Sequence, residues 1–529
     1  MRFTGSRWVA GTEILALLLA AECAINWMAA ASTRPEYGGT LRVELSAREV
    51  NFDPRQWRDG STQSGESETI AELMYDRLIA LDNYGRFQPR LATDWNHDTS
   101  FKRWQFTIRS GVKFSDGSLL APADVAAALQ PLLPRESQVT AAGDSVMFQS
   151  VSPMPDLLEL LASGKFFVYR VEADGTLLGT GPFTLAGTAS DVDSEDSPGT
   201  GQPRPRKLRF QASEQCWAGR PFVNAIEITL GVPPLRGLFD VQLGKADLAL
   251  LTPDTVRRAQ QSNLRVWSSF PLTLYALQFE EPKKQHSDEK LREAVSLSLD
   301  RATMAGVLLQ KQAEPAGALL PQWLSGYAFL FGMETNLERA HELRSALPAG
   351  SAGAAMPLRL QVSTPGDLAK LLGERVVVNA RQAGLTMQLI MQLAMRPLSD
   401  EGHPASANEK STEDDVSVRL LAWRYSLLSP RIELDAMIDS LHLESGAAPE
   451  AGKGAGQLYG QERALLEEKE IIPLVCLPDY VALSPAVRDW LPTSWGEWNL
   501  ADVWLERGEK TVTNPPQAMA TNNFSGAHP

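Results

Sequence analysis

An α/β fold spread over more than one lobe is what this 529-residue chain predicts. Its length exceeds what one core sustains, because chains divide into domains beyond roughly 250–300 residues. Short strand patterns alternate with amphipathic helical ones along most of it, an order that lays helices on a sheet. Hydrophobic and charged fractions of 43% and 22% are those of a soluble globular protein. The formal net charge of −14 argues against a nucleic-acid groove or an anionic membrane surface as partner.

The elements follow in order. Arg2 and Arg7 precede the short apolar run Ile14–Ala21, and small residues at Ala29 and Ala31 come after it. This is the order of a secretory signal, with cleavage expected after Ala31. Glu13 and Glu22 flank the run, and a carboxylate near mid-bilayer costs ~2.5 kcal/mol or more, so no permanent span is expected there. Cys23 has the place of a lipid-attachment cysteine, but Glu22 precedes it where a small residue is wanted. No other segment is long and apolar enough to span a bilayer.

TLRVEL (Thr40–Leu45) reads as a strand. In ESETIAELMYDRL, Ile70, Leu73, Met74 and Leu78 fall on one helical face. The stretch from Arg103 to Leu129, RWQFTIRSGVKFSDGSLLAPADVAAAL, resembles a catalytic loop at first sight. Its polar residues all have structural roles. Trp104, Phe106 and Ile108 alternate with polar residues as in a half-buried strand, and Val112 and Phe114 resume the run. Asp116-Gly117 makes a turn, Pro122 suits the first turn of a helix, and Asp124 faces the positive end of the helix dipole.

SDEKLREAVSLSLDRATMAGVLLQ predicts an amphipathic helix pair. Ser287 or Asp288 caps the first helix, where Leu291 and Val295 share a face; Asp300 caps a second carrying Met304, Val307 and Leu308. PLRLQVS reads as a strand, LAKLLGERVVVNARQAG as a helix ending at Gly384, and LTMQLIM as the next strand. Polar breaks at Ser190–Arg206, Asp400–Asp415, Glu444–Gly456 and from about Gly508 read as exposed insertions or disorder. Cys216 and Cys476 either pair in an oxidising compartment or stay unpaired and buried, the simpler reading.

No arrangement of residues proposes chemistry. His341 in AHELR has no histidine four residues on, and there is no CxxC, phosphate-cradling loop or G-x-S-x-G elbow. The six histidines are scattered, and acidic pairs such as Asp414-Asp415 fall in a charge-rich break. The 13 tryptophans hint at sugar or peptide contact, although tryptophan is more often core. No enzymatic activity, no cofactor and no metal site are expected.

Several ordered blocks resemble the extracytoplasmic solute-binding proteins of ABC importers, in the dipeptide/oligopeptide/nickel-binding family (solute-binding protein family 5). ELMYDRLIALDNYGRFQPRLATDW and GVKFSDGSLLAPADV are similar to that family's signature run. GTGPFTL (Gly179–Leu185), CWAGRPFVNAIEI (Cys216–Ile228), KADLALL, LREAVSLSLDRATMAGVLL and IIPLVCLPDYVALSPAVRDW resemble further blocks in the expected order. The likeness runs from about Gly38 to Trp490. It implies a two-lobed periplasmic-binding-protein-like fold with a hinge and an inter-lobe cleft. After a signal peptide over 1–31, lobe I would use residues 32–270 with the return 478–507, and lobe II residues 271–477; residues 508–529 are expected to be a disordered tail. It also implies a periplasmic monomer that closes on peptides or peptide-like solutes and delivers them to an ABC permease of the inner membrane. A non-peptide solute (an oligosaccharide or a metal chelate) and a secreted sensor that lost transport remain the alternatives.

Candidate ligand contacts follow from the same likeness. Peptide-binding relatives carry a Trp followed three residues later by an Asp that holds the peptide's amino group. LAWRYSLLSP supplies Trp423, but the Asp position is Ser426, and Arg424 adds a positive charge suited to a carboxylate. LQFEEPKK has Glu280 where an Asn is usual. Arg48 and Asn51, where the chain leaves the first strand, and Tyr275, on the strand after the hinge, complete the expected set. If the register slips, the missing acid comes from elsewhere, for instance Glu280 or Glu44. With Ser426 at the ammonium site, Ser426→Asp is expected to strengthen binding of free-amino peptides.

Overall fold

The computed structural model describes residues 35–57, 60–189, 206–280, 289–347, 353, 357–363, 366–391, 417–443 and 455–506. The signal-peptide reading, Cys23, the Ser287/Asp288 cap, and most of the polar breaks lie outside these residues. Ala455 and Gly456, at the end of one such break, instead open the helix Ala455–Glu467.

One mixed sheet forms the frame. It has 11 strands, running in the order Phe183–Ala189, Arg206–Ala212, Ala225–Leu230, Thr40–Glu44, Leu248–Leu251, Ile471–Leu483, Arg265–Phe279, Val418–Arg424, Leu358–Val362 and Met387–Met391, with Glu314–Pro315 added at the side. Thr40–Glu44 is parallel to both its neighbours, as is Leu358–Val362. The strand–helix–strand unit read from the sequence appears as Leu358–Val362, Asp367–Gln382 and Met387–Met391. Gly384, at φ 75°, turns the chain after the helix.

Two strands join the halves of this sheet. Arg265–Phe279 has 15 residues and Ile471–Leu483 has 13, well beyond the usual ~5–6. On one side, Trp267, Val481 and Leu483 pack into a core with Leu41, Phe183 and Phe210. On the other, Tyr275, Leu277, Leu474 and Val475 pack with Leu291, Leu360 and Val376. Pro271 lies opposite Pro478 between the two cores, and the register shifts on both sides of Pro271. Proline has no N–H to give the ladder, so the strands are least tightly laced where the sheet changes cores.

A separate four-stranded antiparallel sheet orders Ala92–His97, Arg103–Ile108, Ser145–Ser150 and Ser137–Ala142. Trp104, Phe106 and Ile108 are buried there with Phe148, Val125, Val112 and Phe114. The last two do not resume a strand, as their alternation suggested. Gly111 turns the chain at φ 76°, and the following segment makes only the isolated bridge Lys113–Leu119. Asp116 Oδ1 accepts from the Ser118 backbone N–H at 2.9 Å and its hydroxyl at 2.6 Å. Asp124 Oδ2 accepts from the Ala121 N–H at 2.8 Å, at the head of the helix Pro122–Leu129. Both aspartates are scaffold.

Two helical expectations need correction. The helix through Ile70 and Leu73 spans Thr62–Met74 and stops before Leu78. Just past its end, Asp76 is bound by Arg90 (3.0 Å), Trp217 (2.8 Å) and Thr180 (3.2 Å), which draws the chain out of the helix. Leu78 therefore packs with the smaller sheet. Asp300 does cap the next helix, accepting from the Thr303 N–H at 2.9 Å. The turn Met304–Leu308 is then a π-helix, whose wider winding leaves Met304 buried and Val307 73% exposed.

A further core, with Leu319, Leu320, Trp423 and Leu465, carries a buried acid. Glu462 Oε1 accepts from the backbone N–H groups of Leu319 (2.6 Å) and Leu320 (3.0 Å). Burial nevertheless pushes its carboxyl up to about 7. A free glutamate titrates near ~4.3, so the folded protein keeps a proton that the unfolded chain releases. The resulting stabilisation is complete below the lower value and lost as pH rises through the upper one. The thermal midpoint is expected to fall from about pH 5 to about pH 8, and Glu462→Gln, which keeps an accepting oxygen, to flatten part of that fall. Calorimetric scans across this range check it; identical slopes for the two proteins would refute it.

Candidate functional site

The strand Val418–Arg424 interlocks with the segment that leads into the helix Thr62–Met74. Arg424 donates its backbone N–H to Gly60 O at 2.9 Å. Gly60 has φ 70°, and a Cβ there would stand 2.1 Å from the Trp423 ring; a Cβ on Gly65 would stand 2.2 Å from Arg424 Nε. Glycine at these positions lets the Trp423-Arg424 pair lie directly on the backbone at Gly60 and Gly65.

Arg424 binds Asp479 with both terminal nitrogens, at 3.1 and 2.7 Å, the paired geometry that makes guanidinium–carboxylate contacts strong. Desolvation works against the charge, but Asp479, with Glu68 and Glu66 behind it, raises Arg424 above the ordinary arginine range. Glu66 accepts from the Ser46 hydroxyl and the Ala47 N–H, each at 2.9 Å, yet burial still raises its carboxyl. Nearby, Arg77 bonds the Ala162 carbonyl at 2.7 Å and pairs with Glu497, with Glu72 at 3.7 Å. Burial first, and then Glu497, raise Glu72 well above the usual carboxylate range, with Arg77 opposing.

Glu68, Glu72, Arg77, Arg424, Ser426 and Glu497 are among the residues that line a cavity of about 30 Å³. That is room for a water or two and far too little for a peptide. The Arg424 side chain occupies the space between the lobes. Glu433, itself buried, shapes the wall: Oε1 accepts from Trp423 Nε1 at 2.6 Å, and Oε2 from the N–H groups of Leu427 (2.9 Å) and Ser426 (3.4 Å).

Of the six expected contacts, Arg424 and Ser426 line this cavity. Trp423 stands beside it, but its ring is buried with Leu274, Leu434 and Cys476. Tyr275 is core: it is 8% exposed among Leu277, Leu291 and Leu360, and burial pushes its hydroxyl up to about 12. Strand alternation turns it away from the Leu274 side. Arg48 and Asn51 do not line the cavity either. Arg48 is exposed near Gly231, and Asn51 is spent on local bonds to Gln56 (3.1 Å) and the Asp53 N–H (2.9 Å). Neither reserve acid reaches the site, since Glu280 pairs with Arg419 and Glu44 is half-buried close to Gly237.

The carboxylates that line the cavity are instead Glu68 and Glu72 on the helix Thr62–Met74 and Glu497, while Glu66 and Asp479 act on Arg424 beside it. A signal for the helix residues existed. Glu68 and Glu72 are four apart, hence on one face, next to Gly65. Among the described residues no group of His, Cys, Asp and Glu could hold a metal ion, and Cys216 and Cys476 are free.

Two lobes on a continuous sheet, closed over a charged cavity, define the two-lobed class of solute-binding proteins. The sequence profile described as bacterial extracellular solute-binding proteins, family 5 Middle, matches residues 86–437. The chain belongs to this family. It is 23% identical to the nickel-binding periplasmic protein of Escherichia coli over 60% of the chain, and 22% identical to the probable di/tripeptide-binding protein 5 of Pseudomonas aeruginosa over 56%. The matched stretches span 66% and 61% of these relatives, under two thirds of either. The fold is similar to the oligopeptide-binding protein AppA of Bacillus subtilis, solved with a nonapeptide (TM-score 0.64, 15% identity, 90% of this chain and 100% of that one). It is similar also to NikA of Staphylococcus aureus, solved with a nickel–histidine complex (TM-score 0.66, 15% identity, 89% and 100%).

Proposed function

We propose that this protein is an exported, non-enzymatic receptor that captures a peptide or peptide-like solute between its lobes and passes it to an ABC permease. Lobe I is then residues 32–270 with 478–507, and lobe II residues 271–477, a division supported by the change of cores at Pro271 and Pro478. The observation that carries the reading is Arg424, a second-lobe cation seated among Asp479, Glu66 and Glu68. A solute ammonium offers the same charge to the same acids. An ammonium that displaces the guanidinium would take its place among these acids and hold the lobes closed on the ligand, so that contacts available only in the closed form favour it. Ser426 stays in the proposed site as a neutral wall, because the first lobe supplies the acid its position lacks.

Calorimetry with trialanine and its N-acetyl form tests this directly. The free amine is expected to bind about tenfold or more tightly, the worth of one charge-assisted contact. Equal affinity for the two forms would remove the ammonium from the reading. Native mass spectrometry of the purified protein should in addition reveal a co-purified cationic solute.

A further inference from the structure

We propose that a second inter-lobe chamber, against the helix Pro430–Leu441, receives the distal part of the solute: an apolar group that ends in a cation. This rests on the receptor reading above. The chamber has a volume of about 540 Å³, against about 30 Å³ for the cavity at Arg424, and falls within the ~300–1,000 Å³ of small-molecule sites. Leu427 lines both spaces, so a solute anchored at the first can extend into the second. One wall comes from the four-stranded-sheet unit and the other from the second lobe, so an occupant touches both.

Its lining sets the class of occupant. Met154, Leu157, Leu160, Phe166 and Ile432 give an apolar floor. Glu136, Asp156, Asp435 and Asp439 stand at the polar side with Lys165 and Arg431. Arg431 bonds Asp156 through Nε at 2.9 Å and lies 3.5 Å from Asp435. It therefore already serves two acids, and Asp439 adds a third on the same helix. Burial raises the Asp435 carboxyl, Arg431 opposes that, and Asp439 and Asp156 add to it. An entering cation relieves this crowding of negative charge, and an anion worsens it.

The test uses three tripeptides with the wild-type protein in calorimetry: Ala-Leu-Lys, Ala-Leu-norleucine and Ala-Leu-Glu. Lysine is expected to bind about tenfold tighter than norleucine, and glutamate more weakly than either. Asp439→Asn, at an exposed position, should shrink the lysine-to-norleucine ratio about threefold. Equal affinities for the three peptides, or a ratio untouched by Asp439→Asn, would overturn the chamber and leave the receptor reading standing. Failure to bind any of them would overturn both.

Discussion

Arg424→Met is expected to lower stability by about 3 kcal/mol, as breaking a largely desolvated ion pair does, and to open the lobes in the absence of solute. The guanidinium leaves Asp479, Glu66 and Glu68 facing one another, and methionine fills the volume without the charge. Equilibrium urea unfolding reads the first effect. Small-angle scattering reads the second as a larger radius of gyration than the wild type. Adding a tight-binding solute to the variant should bring the radius back down, since the ligand's cation then fills the place Arg424 held. A variant as compact and as stable as the wild type would mean that the pair neither holds the lobes together nor stands in for a ligand.

Glu433→Ala should cost still more, about 4 kcal/mol or above, by orphaning the buried donors it serves. Those donors are the Trp423 indole N–H and the Leu427 and Ser426 backbone N–H groups. Losing them also releases the wall that Ser426 and Leu427 give to the cavity, so solute affinity is expected to fall along with the denaturant midpoint. Glu433→Gln is the informative control. One carboxylate oxygen serves the indole and the other the two backbone groups, and an amide cannot present acceptors on both sides. The glutamine variant is expected to recover less than half of the loss; full recovery in both measurements would show that the second acceptor does nothing.

The parts legible from the sequence were those fixed by local pattern. Trp104, Phe106 and Ile108 announce their strand because a half-buried strand has a strict period of two. The helix ending ahead of Gly384 is legible for the same kind of reason. What escaped was set by distant partners. Nothing near Asp76 in the sequence says that Trp217 and Thr180 will bind it and end the helix before Leu78. The site was less legible than the fold. Position in a motif pointed to Ser426 and Arg424, but the acids that face Arg424 lie over fifty residues away on Asp479, and farther still on Glu66 and Glu68. Only tertiary structure brings them together. Tyr275 failed as a contact because a strand's two faces cannot be told apart when both are apolar.

The crossing at Pro271 and Pro478 bears on how cheaply this molecule moves. Bending a continuous ladder would strip bonds from every rung it strains, but here the register already shifts on both sides of Pro271 and two prolines give the ladder no N–H. Angular change between the lobes at this point therefore strains fewer ladder bonds than it would in an uninterrupted strand pair. The stiffness of the closed shape rests more on the contacts beside the axis, above all Arg424 on Asp479, the residue after Pro478, with Arg424 opposite Thr273. Such an arrangement is a loose pivot with its catch set directly beside it. Its opening angle is governed by the chemistry at the catch and hardly at all by the spring of the chain.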